Sequence, residues 1–197
     1  MADQPNILFI FTDQQTASAM SCAGNPNVNT PNLDALAARG VRFERSYCAA
    51  PVCGPARASL VTGWMPSQCG VNVNDREWEP PGPTMGEHFR AAGYETAWAG
   101  KWHLPVSYPA WQGGEIRGFE VLPLAPVENL HRGEEADGPT VDAAIQFLRR
   151  PQDRPFLLAV SVHNPHDICG WLRNQPPLPD AVEHFPPLPD NFEPHPD

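Results

Sequence analysis

Asn6-Ile7-Leu8-Phe9-Ile10-Phe11-Thr12-Asp13-Gln14-Gln15 is the stretch that decides the fold. Its apolar run follows Pro5 without polar interruption, as in a strand buried on both faces of a parallel sheet. It ends in Thr12-Asp13-Gln14-Gln15, which places polar side chains at the carboxyl end of the strand. Open α/β sheets bind their ligands at that edge. A second run, Phe156–Val162 (Phe-Leu-Leu-Ala-Val-Ser-Val), has the same character and ends in His163-Asn164-Pro165-His166-Asp167. Two buried strands therefore end in residues able to bind a ligand, and the expected class is α/β.

Between the two runs, turn and cap residues mark further elements. Thr30, Pro31 and Gly40 frame a helix, with Thr30 as the expected N-cap. Val41–Ala49 alternates enough for a strand. A cysteine-containing turn and a short helix over Ala56–Thr62, stopped by Gly63, come next. Thr84-Met85-Gly86-Glu87 is a capping box opening a helix to Ala92, and Gly93 closes it. Tyr94–Ala99 reads as a strand and Val141–Arg150 as an amphipathic helix; residues 104–138, rich in Gly and Pro, resist assignment. The last 22 residues hold eight of the 25 prolines. They exclude a helix or central strand and read as an extended connection.

Composition bounds the function. With 197 residues, 41% hydrophobic and 18% charged, the chain can bury a core. Lys+Arg of 13 against Asp+Glu of 23 gives a net charge of −10, which argues against nucleic-acid or anionic-membrane partners. The start lacks a basic segment, and Ile7–Phe11 is too short for a signal peptide or a membrane span, so a cytoplasmic location is expected. Five irregularly spaced cysteines (22, 48, 53, 69 and 169) suggest neither a disulfide framework nor a zinc ribbon.

The densest chemistry lies in Cys53-Gly54-Pro55-Ala56-Arg57-Ala58-Ser59-Leu60-Val61-Thr62-Gly63. A cysteine sits just before a helix N-terminus, with an arginine four residues on, and both features would stabilise negative charge beside it. A buried structural cysteine is the plain alternative. The whole string, however, resembles the sulfatase signature C-x-P-x-R with its Leu-Thr-Gly-like tail. Cys53, Pro55 and Arg57 fill the defining positions; Leu60, Thr62 and Gly63 fill the tail. Gly93-Tyr-Glu-Thr-Ala-Trp-Ala-Gly-Lys-Trp-His103 resembles the same family's second signature, and Lys101 within it is the only lysine of the chain. Asp13-Gln14 resembles the family's strand-end metal pair, with Gln14 in place of the commoner aspartate. Pro165-His166 resembles its Pro-His.

The resemblance, which runs from Asn6 to about Asp167, implies an alkaline-phosphatase-like sulfatase fold, a mainly parallel mixed sheet flanked by helices. It implies sulfate-ester hydrolysis through formylglycine made from Cys53 by a maturation enzyme. One hydroxyl of the hydrated aldehyde attacks sulfur, and the other lets the aldehyde re-form and expel sulfate. The implied metal ligands are Asp13, Gln14 and residue 53 around a divalent cation, calcium ahead of magnesium. Arg57 would stabilise the hydrate and Lys101 would contact sulfate. His103 would assist deprotonation, and His166 would bind sulfate or protonate the leaving oxygen. The substrate would be a sulfated small molecule or carbohydrate.

No later strand end completing the metal site follows His166. The expectation is thus an N-terminal catalytic part over residues 1–175, a proline-rich connection over 176–197, truncation on the C-terminal side and little turnover. Alternatives are a phosphodiester or phosphonate monoester hydrolase of the same superfamily, for which Asp-Gln is also known, and a non-catalytic fragment. A thiol hydrolase pairing Cys53 with His103 is a further one, and it explains neither Pro55 and Arg57 nor Asp13-Gln14.

Overall fold

In the computed structural model, residues 4–74, 78–105, 109, 116–125 and 133–169 are described. The elements in chain order are β1 (Ile7–Asp13), a 3-10 turn (Ser21–Ala23), α1 (Pro31–Arg39), α2 (Cys53–Thr62), α3 (Pro66–Cys69), α4 (Met85–Ala91), β2 (Glu95–Gly100), β3 (Glu120–Val121), α5 (Gly133–Arg149) and β4 (Phe156–Pro165). The chain divides into two compact units, Met1–Gln14 with Tyr47–Trp171, and Gln15–Ser46 with Leu172–Asp197. Among the described residues, no helix is long and apolar enough to cross a membrane.

The first unit holds a sheet of order β1-β4-β2-β3 in which every strand pair is parallel. Its two faces are covered differently. Leu157 and Ala159 of β4 pack with Trp98 of β2, with Ala58 and Val61 of α2, and with Trp102 and Phe119. Leu158 and Val160 point the other way and pack with Ala97 and Ala99 of β2 and Ala143, Ala144 and Phe147 of α5. This period of two, apolar on both sides, explains why β4 reads as an unbroken hydrophobic run.

β1 departs from its expected full burial. It lies at one edge of the described sheet, with Ile7, Phe9 and Phe11 packed against the core but Leu8 and Ile10 46% and 59% exposed. Leu8 and Ile10 pair in register with Leu158 and Val160, so they share the face that α5 covers further along the sheet.

Among the described residues of the second unit, side-chain bonds tie the 3-10 turn to α1. Asp34 of α1 accepts from the Ser21 hydroxyl and, at 2.8 Å, from the Cys22 amide. Thr30 precedes α1 as expected but makes no capping bond; its hydroxyl is engaged with Ser21. The expected strand over Val41–Ala49 is absent. Val41, Phe43 and Tyr47 are 79%, 79% and 87% exposed, because alternation creates a strand only where another strand supplies partners for its backbone.

Three boundaries also move. α2 begins at Cys53, three residues before the expected start, because Pro55 needs no amide partner in a first turn. α5 begins at Gly133 and carries Pro139 inside it. β4 runs on to Pro165. The proline-rich connection lies outside the described residues.

Candidate active site

Parallel pairing brings three strand ends to one edge. Phe11 pairs with Ser161 and Asp13 with Pro165, while Gly100 pairs with Ser161 from the other side. Four residues of β4 thus span what two residues of β1 span, so β4 bulges beside the site. Gly100 makes the close approach possible. Its φ is +89°, and a Cβ there would stand 2.2 Å from the Ser161 carbonyl oxygen.

α2 delivers Cys53 to this edge as its first residue. The Gly54 amide, otherwise an orphan of the first turn, donates to Asn74 Oδ1 at 2.7 Å. Gly63 ends the helix at φ +73°, its amide donating to the Ser59 carbonyl.

Asp13, Arg57 and Lys101 form a buried triad. Lys101 Nζ lies 2.7 Å and Arg57 Nη2 3.0 Å from Asp13 Oδ2. Arg57 Nη1 also donates to the Lys101 carbonyl at 2.7 Å and to Ser161 Oγ at 2.9 Å, and its guanidinium lies over the Phe11 ring. Trp98 Nε1 donates to the same Lys101 carbonyl. Burial pushes the Asp13 pKa up, but the hydrogen bond and charge of Lys101, then Arg57, prevail and hold it at about 2. Two cations against one carboxylate leave the triad with one net positive charge.

Asp13, Cys53 and His166 each bring one potential ligand atom to within 4.8 Å of the others. The Cys53 thiol donates to Asp13 Oδ1 at 3.7 Å. The helix start and Arg57 do not lower the thiol's pKa on balance. Burial pushes the Cys53 pKa up, and the Asp13 carboxylate adds to the rise; Lys101 and Arg57 oppose it without prevailing. Arg57 serves Asp13 and the backbone instead. His166 is lowered by burial and then by the Lys101 charge. Its ring meets that of His163 edge-on at 4.9 Å.

Gln14 and His103 stand apart in kind. Gln14 is exposed at φ +65°, and its Oε1 accepts from the Cys169 thiol at 3.7 Å. His103 is half-buried at φ +61°, two residues beyond Lys101. The sequence reading missed Ser161 and Asn74, polar residues within apolar or turn segments, whose contacts depend on distant parts of the chain. It also missed Asp137 of α5, whose carboxylate accepts from the His163 and Asn164 amides.

Fold and site together define a parallel α/β protein with a cluster of charged and metal-capable side chains at the carboxyl edge of its sheet. The Sulfatase family model matches residues 5–193, and the chain belongs to that family. It is 36% identical over 182 residues to an ulvan-active sulfatase of Formosa agariphila, covering 83% of this chain and 36% of the relative. It is 33% identical to an N-acetylglucosamine-6-O-sulfatase of Bacteroides thetaiotaomicron, covering 92% of this chain and 33% of the relative. Among solved structures, a 2-O GAG sulfatase superposes with a TM-score of 0.74 at 29% identity, over 95% of this chain and 41% of that one. The chain spans about a third of the length of these curated relatives.

Proposed function

We propose that this chain carries the nucleophile-bearing part of a sulfatase that hydrolyses a sulfate ester of a carbohydrate. The observation that carries the reading is the meeting of Asp13, Cys53 and His166 beside two buried cations. The names of the relatives, which act on ulvan and on N-acetylglucosamine sulfate, support the substrate class.

The donor set suits a family-type cation once residue 53 is oxidised. A thiol beside a carboxylate and an imidazole suits a softer ion such as zinc. Replacing sulfur by the oxygens of formylglycine gives hard donors, which suit calcium. Asp13, Gln14 and residue 53 would hold the ion, which would neutralise sulfate oxygens and acidify the attacking hydroxyl. Oxidised residue 53 supplies that hydroxyl as a hydrated aldehyde. The neutral Cys53 thiol is by itself a poor nucleophile, which counts against direct thiol hydrolysis.

The chain's own residues do the remaining work. Lys101 and Arg57 keep Asp13 ionised at any physiological pH. The surplus positive charge of the triad attracts the ester sulfate into a chain whose net charge of −10 would otherwise repel it. Burial and the Lys101 charge favour the neutral imidazole of His166 in the free site. An anionic ester beside it favours the imidazolium, which can then donate its proton to the leaving oxygen. His103 takes the proton from the attacking hydroxyl.

The test is a substrate profile of the protein containing this chain, matured in a host with a formylglycine-generating enzyme. Nitrophenyl sulfate and a sulfated amino sugar should be turned over in preference to a nitrophenyl phosphonate, and Lys101→Met should abolish sulfate release. A preference for the phosphonate would overturn the reading.

A further inference from the structure

We propose that Asp137 of α5 is a positioning residue for His166, acting through the bulge at the end of β4. Successive amides of a regular strand point in opposite directions, so one side chain cannot accept from both. Here the amides of His163 and Asn164 both donate to Asp137, that of Asn164 to Oδ2 at 2.9 Å. β4 is bulged between Ser161 and Pro165, where both amides lie. The bulge takes these two amides out of the ladder, and a half-buried carboxylate on the neighbouring helix satisfies them with charge-assisted bonds.

The bulge leads straight into the turn that carries His166. The His166 amide donates to the His163 carbonyl at 3.0 Å, and the Cys169 amide donates to the His166 carbonyl at 3.1 Å. Fixing residues 163 and 164 therefore fixes the start of the turn from which the His166 ring reaches Asp13 and Cys53. α5 is itself anchored on β4 and β2 through Ala143, Ala144 and Phe147, so Asp137 ties the turn to the rigid body of the unit. In catalysis, a displacement of about 1 Å at a reacting group costs on the order of 100-fold in rate.

The inference rests on the reading that His166 meets the substrate, and the test separates the two. In the matured protein containing this chain, Asp137→Asn removes the charge and one acceptor while keeping the shape. Asp137→Glu keeps the charge but moves it, and Asp142→Asn on the same helix is the control. Selective ¹⁵N-histidine NMR reads the His166 ring directly, whether or not the protein is a sulfatase. Asp137→Asn should shift the His166 signals and lower kcat for nitrophenyl sulfate by about 10- to 100-fold, with KM changed far less. Asp137→Glu should fall between it and wild type, and Asp142→Asn should match wild type. His166 signals and kcat unchanged in folded Asp137→Asn would overturn the proposal. If that variant does not fold, unchanged His166 signals in Asp137→Glu would overturn it equally. A wild-type protein inactive on sulfate esters would defeat the functional reading and leave the NMR result to decide the role of Asp137.

Discussion

Asp13 sets the electrostatics of the site, since it is the anion between two buried cations. Its removal should cost more than the removal of either cation. Asp13→Asn leaves Arg57 and Lys101 facing each other without compensation, at a cost of about 3–5 kcal/mol in the metal-free protein. Lys101→Met leaves the Arg57–Asp13 pair intact and should cost less than Asp13→Asn while abolishing activity. Urea unfolding of both variants in chelator checks the contrast. Acid should act on this centre in two stages. His163 is lowered from 6.5 to about 4, first by burial and then by Lys101, so the unfolded chain takes up its proton first. Stability therefore falls as pH drops from 6.5 to 4. Asp13, lowered from 3.8 to about 2, contributes stability above pH 3.8, and this is lost as pH falls through 2. The urea midpoint of the metal-free protein should show both windows, and His163→Gln should shrink the upper one, leaving the part that His166 contributes. The residues of this centre were legible as motif positions. Their charge states were not, because a raised thiol pKa and a committed arginine follow from burial and partners far apart in sequence.

At the scale of elements, the site depends on how closely β2 approaches β4. Lys101 enters the site on an amide that donates to the Ser161 carbonyl at 3.0 Å, directly after Gly100. Gly100→Ala would place a methyl against that carbonyl and against Thr140 Cγ2, at a φ that disfavours any side chain. It should destabilise by at least about 3 kcal/mol, visible as a lowered melting temperature, whereas Gly93→Ala, with open space around its Cβ position, should cost less. Punctuated elements were readable in advance. The Thr84–Glu87 capping box forms as expected, with the Thr84 amide donating to Glu87 Oε2 at 2.8 Å. Val41–Ala49 misled because alternation says nothing about the availability of a partner strand. The bulge in β4 and the Asp137 contact were invisible because both depend on register between strands that are 150 residues apart.

Over the whole molecule, a chain of net charge −10 keeps its only lysine, buried, at the carboxyl edge of its sheet, where it helps to form a positive centre. The class of the fold was legible because two apolar runs each ended in polar residues, and parallel pairing then had to bring those ends together. The exposure of Leu8 and Ile10 was not legible, because a sequence does not state which strand lies at an edge. Cys53 is proposed as the precursor of the nucleophile, and peptide mass spectrometry of the segment around it is the most direct test. Protein matured with a formylglycine-generating enzyme should carry an aldehyde in place of the Cys53 thiol, and the converted fraction should track sulfatase activity across preparations. Full sulfatase activity in protein whose residue 53 remains an unmodified thiol would contradict the account.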